Sequence, residues 1–188
     1  MVAPRQMTAH TLEGLKGWPS PHAVDFAAKL DPAVTIDPVF AGRVVHLNAS
    51  GNYEMGLPDV SRAGHMPIFL FQNSDDPDVS NPGGNPATDV GVWVAVSPTG
   101  KMMGLVGAGA YELQTTEFEP EATAGTYVPG NCLTAVADNA TALTGGRITK
   151  GVAYDIPLCG TVSRGVARNC HGVLALSFWP VWLPRYTA

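Results

Sequence analysis

Three cysteines and five histidines are the residues of this sequence that could carry out nucleophilic chemistry. A thiolate from Cys132 or Cys170 beside an imidazole would make the nucleophile and base pair of a cysteine hydrolase. The imidazole could come from His46, His65 or His171. No flanking motif accompanies any of these residues, and Cys170 and His171 are adjacent, so in a strand they would point to opposite faces. We therefore interpret the cysteines as reduced core thiols and predict no enzymatic activity and no catalytic residues.

Two further groups of residues have metal-binding side chains without the spacing of a known site. Cys159, Cys170 and His171 are zinc-type ligands, but a fourth ligand is missing at any recognisable distance along the chain. The polar loop at residues 72–86 contains three aspartates, whose oxygens suit calcium, yet it lacks the glycine and terminal glutamate of an EF-hand. We expect no metal and no other cofactor, and calcium binding by the loop stays open.

The charge pattern excludes several classes of partner. Charged residues make up only 14% of the chain, the net charge is -5, and the eleven lysines and arginines are scattered singly. A nucleic-acid-binding protein would show a basic stripe, so we expect no nucleic-acid partner. Residues 1–6 lack the apolar stretch of a secretory signal, and no run reaches the roughly 18 apolar residues of a membrane span. The sequence thus predicts a protein made in the cytoplasm with no membrane contact, much of whose surface is covered by partner proteins.

The elements that must position any site are short strands. From residue 34 onward, apolar or alternating runs bounded by Gly, Pro, Asn and Asp recur at intervals of roughly 8 to 14 residues. The predicted strands are 43–48, 53–57, 67–71, 90–96, 101–106, 110–115, 132–137, 147–149, 159–163 and 173–183. Turn sequences at 49–52 and 97–100 predict antiparallel neighbours. We expect a mainly β domain over residues 33–188, an antiparallel β-barrel or sandwich.

Residues 1–32 have a different texture and predict an extended N-terminal arm with one short helix. Ser20 is a candidate N-cap, Pro21 suits the first helical position, and the helix would run to Leu30 before Pro32. Apolar residues set among glycines and prolines would anchor the arm on neighbouring subunits. These predicted interface residues are Leu12, Leu15, Trp18 and Phe26.

The C-terminal stretch, residues 177–186, is rich in aromatic residues and proline. Alternation places Phe178 and Trp182 on one face and Trp179 on the other, so both faces of the strand are apolar. Because Pro180 lacks the N–H that a central ladder needs, we expect an edge strand that another subunit covers. Packing inside the chain's own core is the alternative. The predicted contact residues here are Trp179, Trp182 and Tyr186.

Four stretches resemble the capsid decoration (cement) proteins of tailed bacteriophages. They are residues 110–118, 126–134, 159–166 and 171–180, and the wider likeness covers roughly residues 35–186. The resemblance implies a β-rich structural virion protein on the capsid exterior, made in the host cytoplasm, that binds the lattice of the major capsid protein, often as a homotrimer. It brings no catalytic residues. The arm at residues 8–30 has no counterpart in this likeness.

A second function is compatible with the same sequence. The chain could be a receptor- or glycan-binding module of a virion spike or fibre, in which exposed aromatic residues such as Trp93 and Trp182 stack on sugar rings.

Overall fold

Two antiparallel sheets form the described part of the chain. A computed structural model describes residues 12–16, 26–34, 39–57, 67–70, 101–106, 112–137, 144–151, 158–170 and 172–183. In chain order the strands are β1 (Leu12–Lys16), β2 (Phe26–Lys29), β3 (Val44–Leu47), β4 (Tyr53–Met55), β5 (Ile68–Leu70), β6 (Lys101–Val106), β7 (Glu112–Thr115), β8 (Cys132–Ala135), β9 (Ile148–Lys150), β10 (Leu158–Arg168) and β11 (Leu174–Leu183). A short helix, α1 (Glu121–Ala124), lies between β7 and β8. The prediction of a mainly β antiparallel fold is confirmed.

The strands divide into a six-stranded sheet, which we call sheet A, and a five-stranded sheet B. Sheet A has the order β1-β7-β11-β10-β8-β9, and sheet B has the order β2-β6-β5-β3-β4. The sheets do not close into a barrel, so the sandwich is the form of the prediction that fits. The turn at residues 49–52 joins β3 to β4 in antiparallel register, as predicted.

An apolar core fills the space between the sheets. Phe178 of sheet A and Phe69 of sheet B are fully buried, and their ring centroids are 5.3 Å apart. Alternation along β3 sends Val44 into this core and Val45 into a second cluster on the far side of sheet B. Strand β5 and the first three residues of β3 are therefore buried on both faces, which explains their nearly continuous apolar sequences.

A buried ion cluster joins the two sheets at one corner. Glu117, just after β7, accepts a hydrogen bond from Nε of Arg43, just before β3, at 2.8 Å, and both side chains are 2% exposed. Nε of Arg147 lies 3.7 Å from the same carboxylate oxygen. Arg43 also donates to the carbonyl of Gly145. A buried charge is tolerated only when it is paired, so this cluster ties β3 to the ends of β7 and β9.

The backbone reinforces the same corner. The N–H of Val44 donates to the carbonyl of Gly146 at 2.7 Å, which places the loop before β9 directly on β3. Gly146 has φ of 75°, and a Cβ there would lie 2.6 Å from the Val44 carbonyl oxygen. Glycine is required at this contact because any side chain would force the two sheets apart.

The predicted helix over residues 21–30 is wrong for its second half. Residues 26–29 form β2, which pairs with β6 in sheet B, and Leu30 makes a parallel bridge to Tyr53. Residues 21–25 lie outside the described residues. The two alanines of β2 favour a helix locally, but pairing with a neighbouring strand outweighs a preference of a few tenths of a kcal/mol per residue.

The predicted edge position of the last strand is also wrong. β11 is central in sheet A, with β10 on one side and β7 on the other. Its pairing with β7 covers only Leu176, Ser177 and Phe178. Pro180 lies beyond that pairing and opposite Gly160, so its missing N–H costs no bond of the described β7 ladder.

The other predicted strands within the described residues are confirmed, with small shifts of their ends. The longest of them, β10, extends five residues past its predicted end. A bulge between Val162 and Gly165 interrupts its pairing with β11. The bulge also breaks the alternation of buried and exposed residues, so the sequence pattern did not predict the second half of the strand. The predicted strand at residues 90–96 and the turn at 97–100 lie outside the described residues.

The ion cluster predicts a large stability effect. We expect Glu117→Gln to lower the free energy of unfolding by roughly 3–5 kcal/mol, because it removes the carboxylate charge that pairs with the buried guanidinium of Arg43. Lys29→Gln, at an exposed position of β2, is the matched control and should change stability by less than about 0.5 kcal/mol. Urea unfolding followed by tryptophan fluorescence measures both. Equal losses in the two variants would contradict the cross-sheet role of Glu117.

Two buried tyrosines predict a loss of stability at alkaline pH. Burial raises the pKa of Tyr53 and of Tyr127 from 10.0 to about 12. The folded state therefore holds these phenol protons more tightly than the unfolded state, so this contribution is complete below pH 10 and is lost as the pH rises towards 12. We expect Tyr127→Phe to lose less stability than the wild type across that window, measured by thermal unfolding at several pH values. Ionisation of all five tyrosines near pH 10 with the fold intact would contradict this expectation.

Candidate functional site

The thiols and imidazoles singled out in the sequence do not meet in the described structure. Cys159 is fully buried, and burial raises the pKa of its thiol to about 12, so it carries almost no thiolate near neutral pH. Cys132 is half-buried on β8, and Cys170 is exposed in the turn between β10 and β11. His65 and His171 lie outside the described residues.

His46 is part of a polar network on sheet B. Its Nδ1 lies 3.1 Å from the carbonyl of Gly56, and its Nε2 lies 3.2 Å from the Glu54 carboxylate. Asn48 donates to the second oxygen of Glu54 and to Asp31. The side-chain oxygen Oδ1 of Asn48 in turn accepts hydrogen bonds from the backbone N–H groups of Ser50 and Asn52 in the turn at residues 49–52. Both nitrogens of His46 thus face hydrogen-bond acceptors, and the network fastens the β3–β4 hairpin to residue 31.

This network does not have the composition of a metal centre. Within the ranges that the structure describes, no group of three or more His, Cys, Asp or Glu side chains could hold a metal ion. The zinc-type ligand Cys159 lies in the core and Cys170 lies in an exposed turn. The acidic loop at residues 72–86 lies outside the described residues, so calcium binding there stays a prediction.

The face of sheet A that points away from sheet B carries a row of polar and aromatic side chains, which we call the outer face. Trp179 of β11 and Cys132 of β8 each stand opposite Thr161 of β10. They alternate with the core residues Phe178 and Leu133, so they point outward. Trp179 is 37% exposed, and its two neighbours are half-buried.

Two polar pairs continue this outer face across β7. Arg164 donates to the carboxylate of Glu112 at 2.7 Å, with the arginine side chain half-exposed and the glutamate buried. Gln114 donates to the hydroxyl of Ser177 at 3.2 Å. Sequence reasoning missed these partners because they lie far apart along the chain. The polar residues at positions 112 and 114, alternating with Leu113, were the available signal for a polar outward face.

The predicted interface residues fall in different environments. Leu12 is buried in the core of its own chain, where it stands opposite Thr115. Leu15 lies on β1, Phe26 on β2, and both Trp179 and Trp182 on β11. Among the predicted contacts whose side chains are described, Trp179 is the exposed one. Trp18 and Tyr186 lie outside the described residues.

Comparison with known proteins adds no relative. No protein-family model, curated protein or solved structure matches this chain. In the part of the chain that the structure describes, no helix is long and apolar enough to cross a membrane. Function must therefore be argued from the residues and their arrangement.

The different environments of the three cysteines predict their order of reaction. With iodoacetamide at pH 8, we expect Cys170 to react first, Cys132 more slowly, and Cys159 only on unfolding, since only the thiolate is nucleophilic. Mass spectrometry of proteolytic fragments at successive times gives the three rates. A denatured sample, in which all three cysteines react, is the control, and labelling of Cys159 as fast as Cys170 would refute the buried position.

Proposed function

We propose that this chain is a structural protein of a tailed-bacteriophage virion that decorates the outside of the capsid by binding the lattice of the major capsid protein. It has no enzymatic role in this proposal. It associates with copies of itself, as a homotrimer, and completes its outer surfaces against the shell.

The observation that carries the proposal is where the four stretches that resemble decoration proteins lie. Residues 110–118 contain β7, residues 126–134 lead into β8, residues 159–166 lie in β10, and residues 171–180 contain the first part of β11. These strands are neighbours in sheet A, in the order β7-β11-β10-β8. A likeness scattered over 71 positions of sequence thus falls on four adjacent strands of one sheet, as is expected of a shared structural unit.

The use of charge in the described residues supports a structural role. The carboxylates of Glu112 and Glu117 are both buried, and each is paired with an arginine, Arg164 or Arg43. Such pairs hold strands in place. The large apolar side chains that are exposed in the described residues are Val128, Leu174 and Trp179. Weak apolar contacts of this kind suit a cement protein, because many copies on a lattice add their contact energies.

Glycan binding by a spike or fibre module is the second candidate. The exposed indole of Trp179, next to the hydroxyl of Thr161 on the outer face, favours it, since sugar rings stack on aromatic side chains and bond to neighbouring polar groups. Trp93 lies outside the described residues, and the side chain of Trp182 is not described.

The copy number of the chain in virus particles distinguishes the candidates. For purified particles of the virus that encodes it, we expect quantitative mass spectrometry to give a fixed ratio to the major capsid protein, with hundreds of copies on a typical shell. Cryo-electron microscopy should then show its density on the capsid exterior. A few copies per particle, or density confined to the tail, would reject decoration. Glycan-array binding that Trp179→Ala abolishes would support the second candidate in that case.

A further inference from the structure

His46 is a buried titratable side chain near the corner at which the two sheets meet. Its side chain is 7% exposed. It lies on the same face of β3 as Val44, which packs into the core between the sheets. Glu54 stands directly opposite on β4. The imidazole is therefore largely withdrawn from water, and its ring nitrogens must find their partners within the protein.

Both ring nitrogens of His46 face oxygen atoms that only accept hydrogen bonds. Nδ1 lies 3.1 Å from the carbonyl oxygen of Gly56, and Nε2 lies 3.2 Å from a carboxylate oxygen of Glu54. A neutral imidazole has one N–H and one lone pair, so it can bond to only one of these oxygens and turns a lone pair towards the other. The imidazolium donates from both nitrogens and satisfies both acceptors.

The charged groups around the ring favour the same protonated form. The side-chain amide of Asn48 donates to both Asp31 and Glu54, so two negative charges lie around one amide beside the imidazole. The arginines at this corner are paired within the ion cluster around Glu117. Strand β5 and residues 136–137, which adjoin the hairpin, contain no ionisable side chain. Burial by itself favours the neutral ring, whereas adjacent negative charge and two acceptors favour the charged ring.

The contact between His46 and Gly56 reaches the boundary with sheet A. The N–H of Gly56 donates to the carbonyl of Val44 at 2.8 Å, just beyond the end of β4. A Cβ at Gly56 would lie 2.9 Å from the carbonyl oxygen of Val136, just after β8. The imidazole therefore bonds to a backbone segment that lies between β3 and the end of β8.

We propose that His46 is a pH-sensitive switch for the β3–β4 hairpin. With its second proton, the ring donates to Glu54 and to Gly56 and fastens the hairpin at the corner between the sheets. Without that proton, one of the two contacts places a lone pair against an acceptor, and the hairpin loosens there. The inference goes beyond the proposed function, because it concerns the hairpin itself and not a binding partner.

The direction of the pH effect follows from which state of the chain gains from the proton. In the unfolded chain, water satisfies the ring in either form, whereas in the folded chain only the charged form satisfies both acceptors. The folded state therefore binds this proton more tightly. Its contribution to stability is present at acidic pH and is lost as the pH rises through the range in which histidine titrates, roughly pH 5 to 8.

A comparison of variants across this pH range tests the switch. His46→Gln keeps a polar side chain that cannot take a second proton. We expect the Tm of the wild type to fall relative to that of His46→Gln between about pH 6 and about pH 8, and Glu54→Gln to reduce this pH dependence. Lys29→Gln, which removes an exposed charge on β2, should keep the wild-type profile. Parallel profiles in the wild type and His46→Gln would overturn the proposal.

Nuclear magnetic resonance of the wild type gives a second test that needs no variant to fold. The nitrogen shifts of the imidazole report which ring nitrogens are protonated, and we expect the folded chain to keep both protons at a pH where the urea-unfolded chain has lost one. The amide of Gly56 should exchange faster with rising pH relative to that of Leu70, which bonds to the Arg43 carbonyl in the same sheet. Taking this ratio removes the general acceleration of exchange by hydroxide. A constant ratio, or loss of the ring proton at the same pH in both states, would refute the switch.

Discussion

The buried carboxylate of Glu117 is the interaction on which the arrangement of the two sheets depends. It draws Arg43 from the start of β3 and Arg147 from the start of β9 to one point at the end of β7. Apolar packing between the sheets is strong but has little direction. The ion cluster supplies direction, because sliding one sheet along the other would separate the buried guanidinium from its carboxylate. The free-energy cost of that separation exceeds any gain from a small change in apolar packing. The ion cluster therefore fixes where one sheet lies relative to the other, and the buried apolar area holds the two sheets together.

The two sheets consequently have different roles. In sheet B, strands β3 and β5 are covered on both faces, by the shared core on one side and by the cluster around Val45 and Tyr53 on the other. Sheet A shares the same core, and its opposite face is polar and aromatic: Glu112, Gln114 and Ser177 are buried there, whereas Trp179 is exposed. Trp179 on this face and Leu174 near the end of the β10–β11 hairpin are exposed apolar side chains.

The sequence predicted where the strands lie along the chain far better than it predicted which strands pair with each other. Alternation and turn residues located strands such as β3, β4 and β6, because those signals are local. The order of strands depends on contacts between distant residues, so the two apolar faces of the last strand and its Pro180 led us to the wrong position for β11. For the same reason the sequence did not predict the pairing of Arg43 with Glu117, because the two residues are 74 positions apart in the chain. At residues 26–29 a local preference for helix lost to pairing with β6, and no pattern within those residues could have revealed that partner.

The topology of sheet A has a consequence for how the chain is made. β1 is synthesised early, but its neighbour β7 follows about a hundred residues later, since Leu12 pairs with Thr115. At ribosomal speeds of about 5–20 residues per second, β1 waits roughly 5 to 20 s for that neighbour. Sheet B, built from β2 to β6, can assemble in the interval. During this interval β1 is an unpaired strand on the nascent chain. Chaperones that bind unpaired strands therefore protect the chain most before residue 115 has emerged from the ribosome.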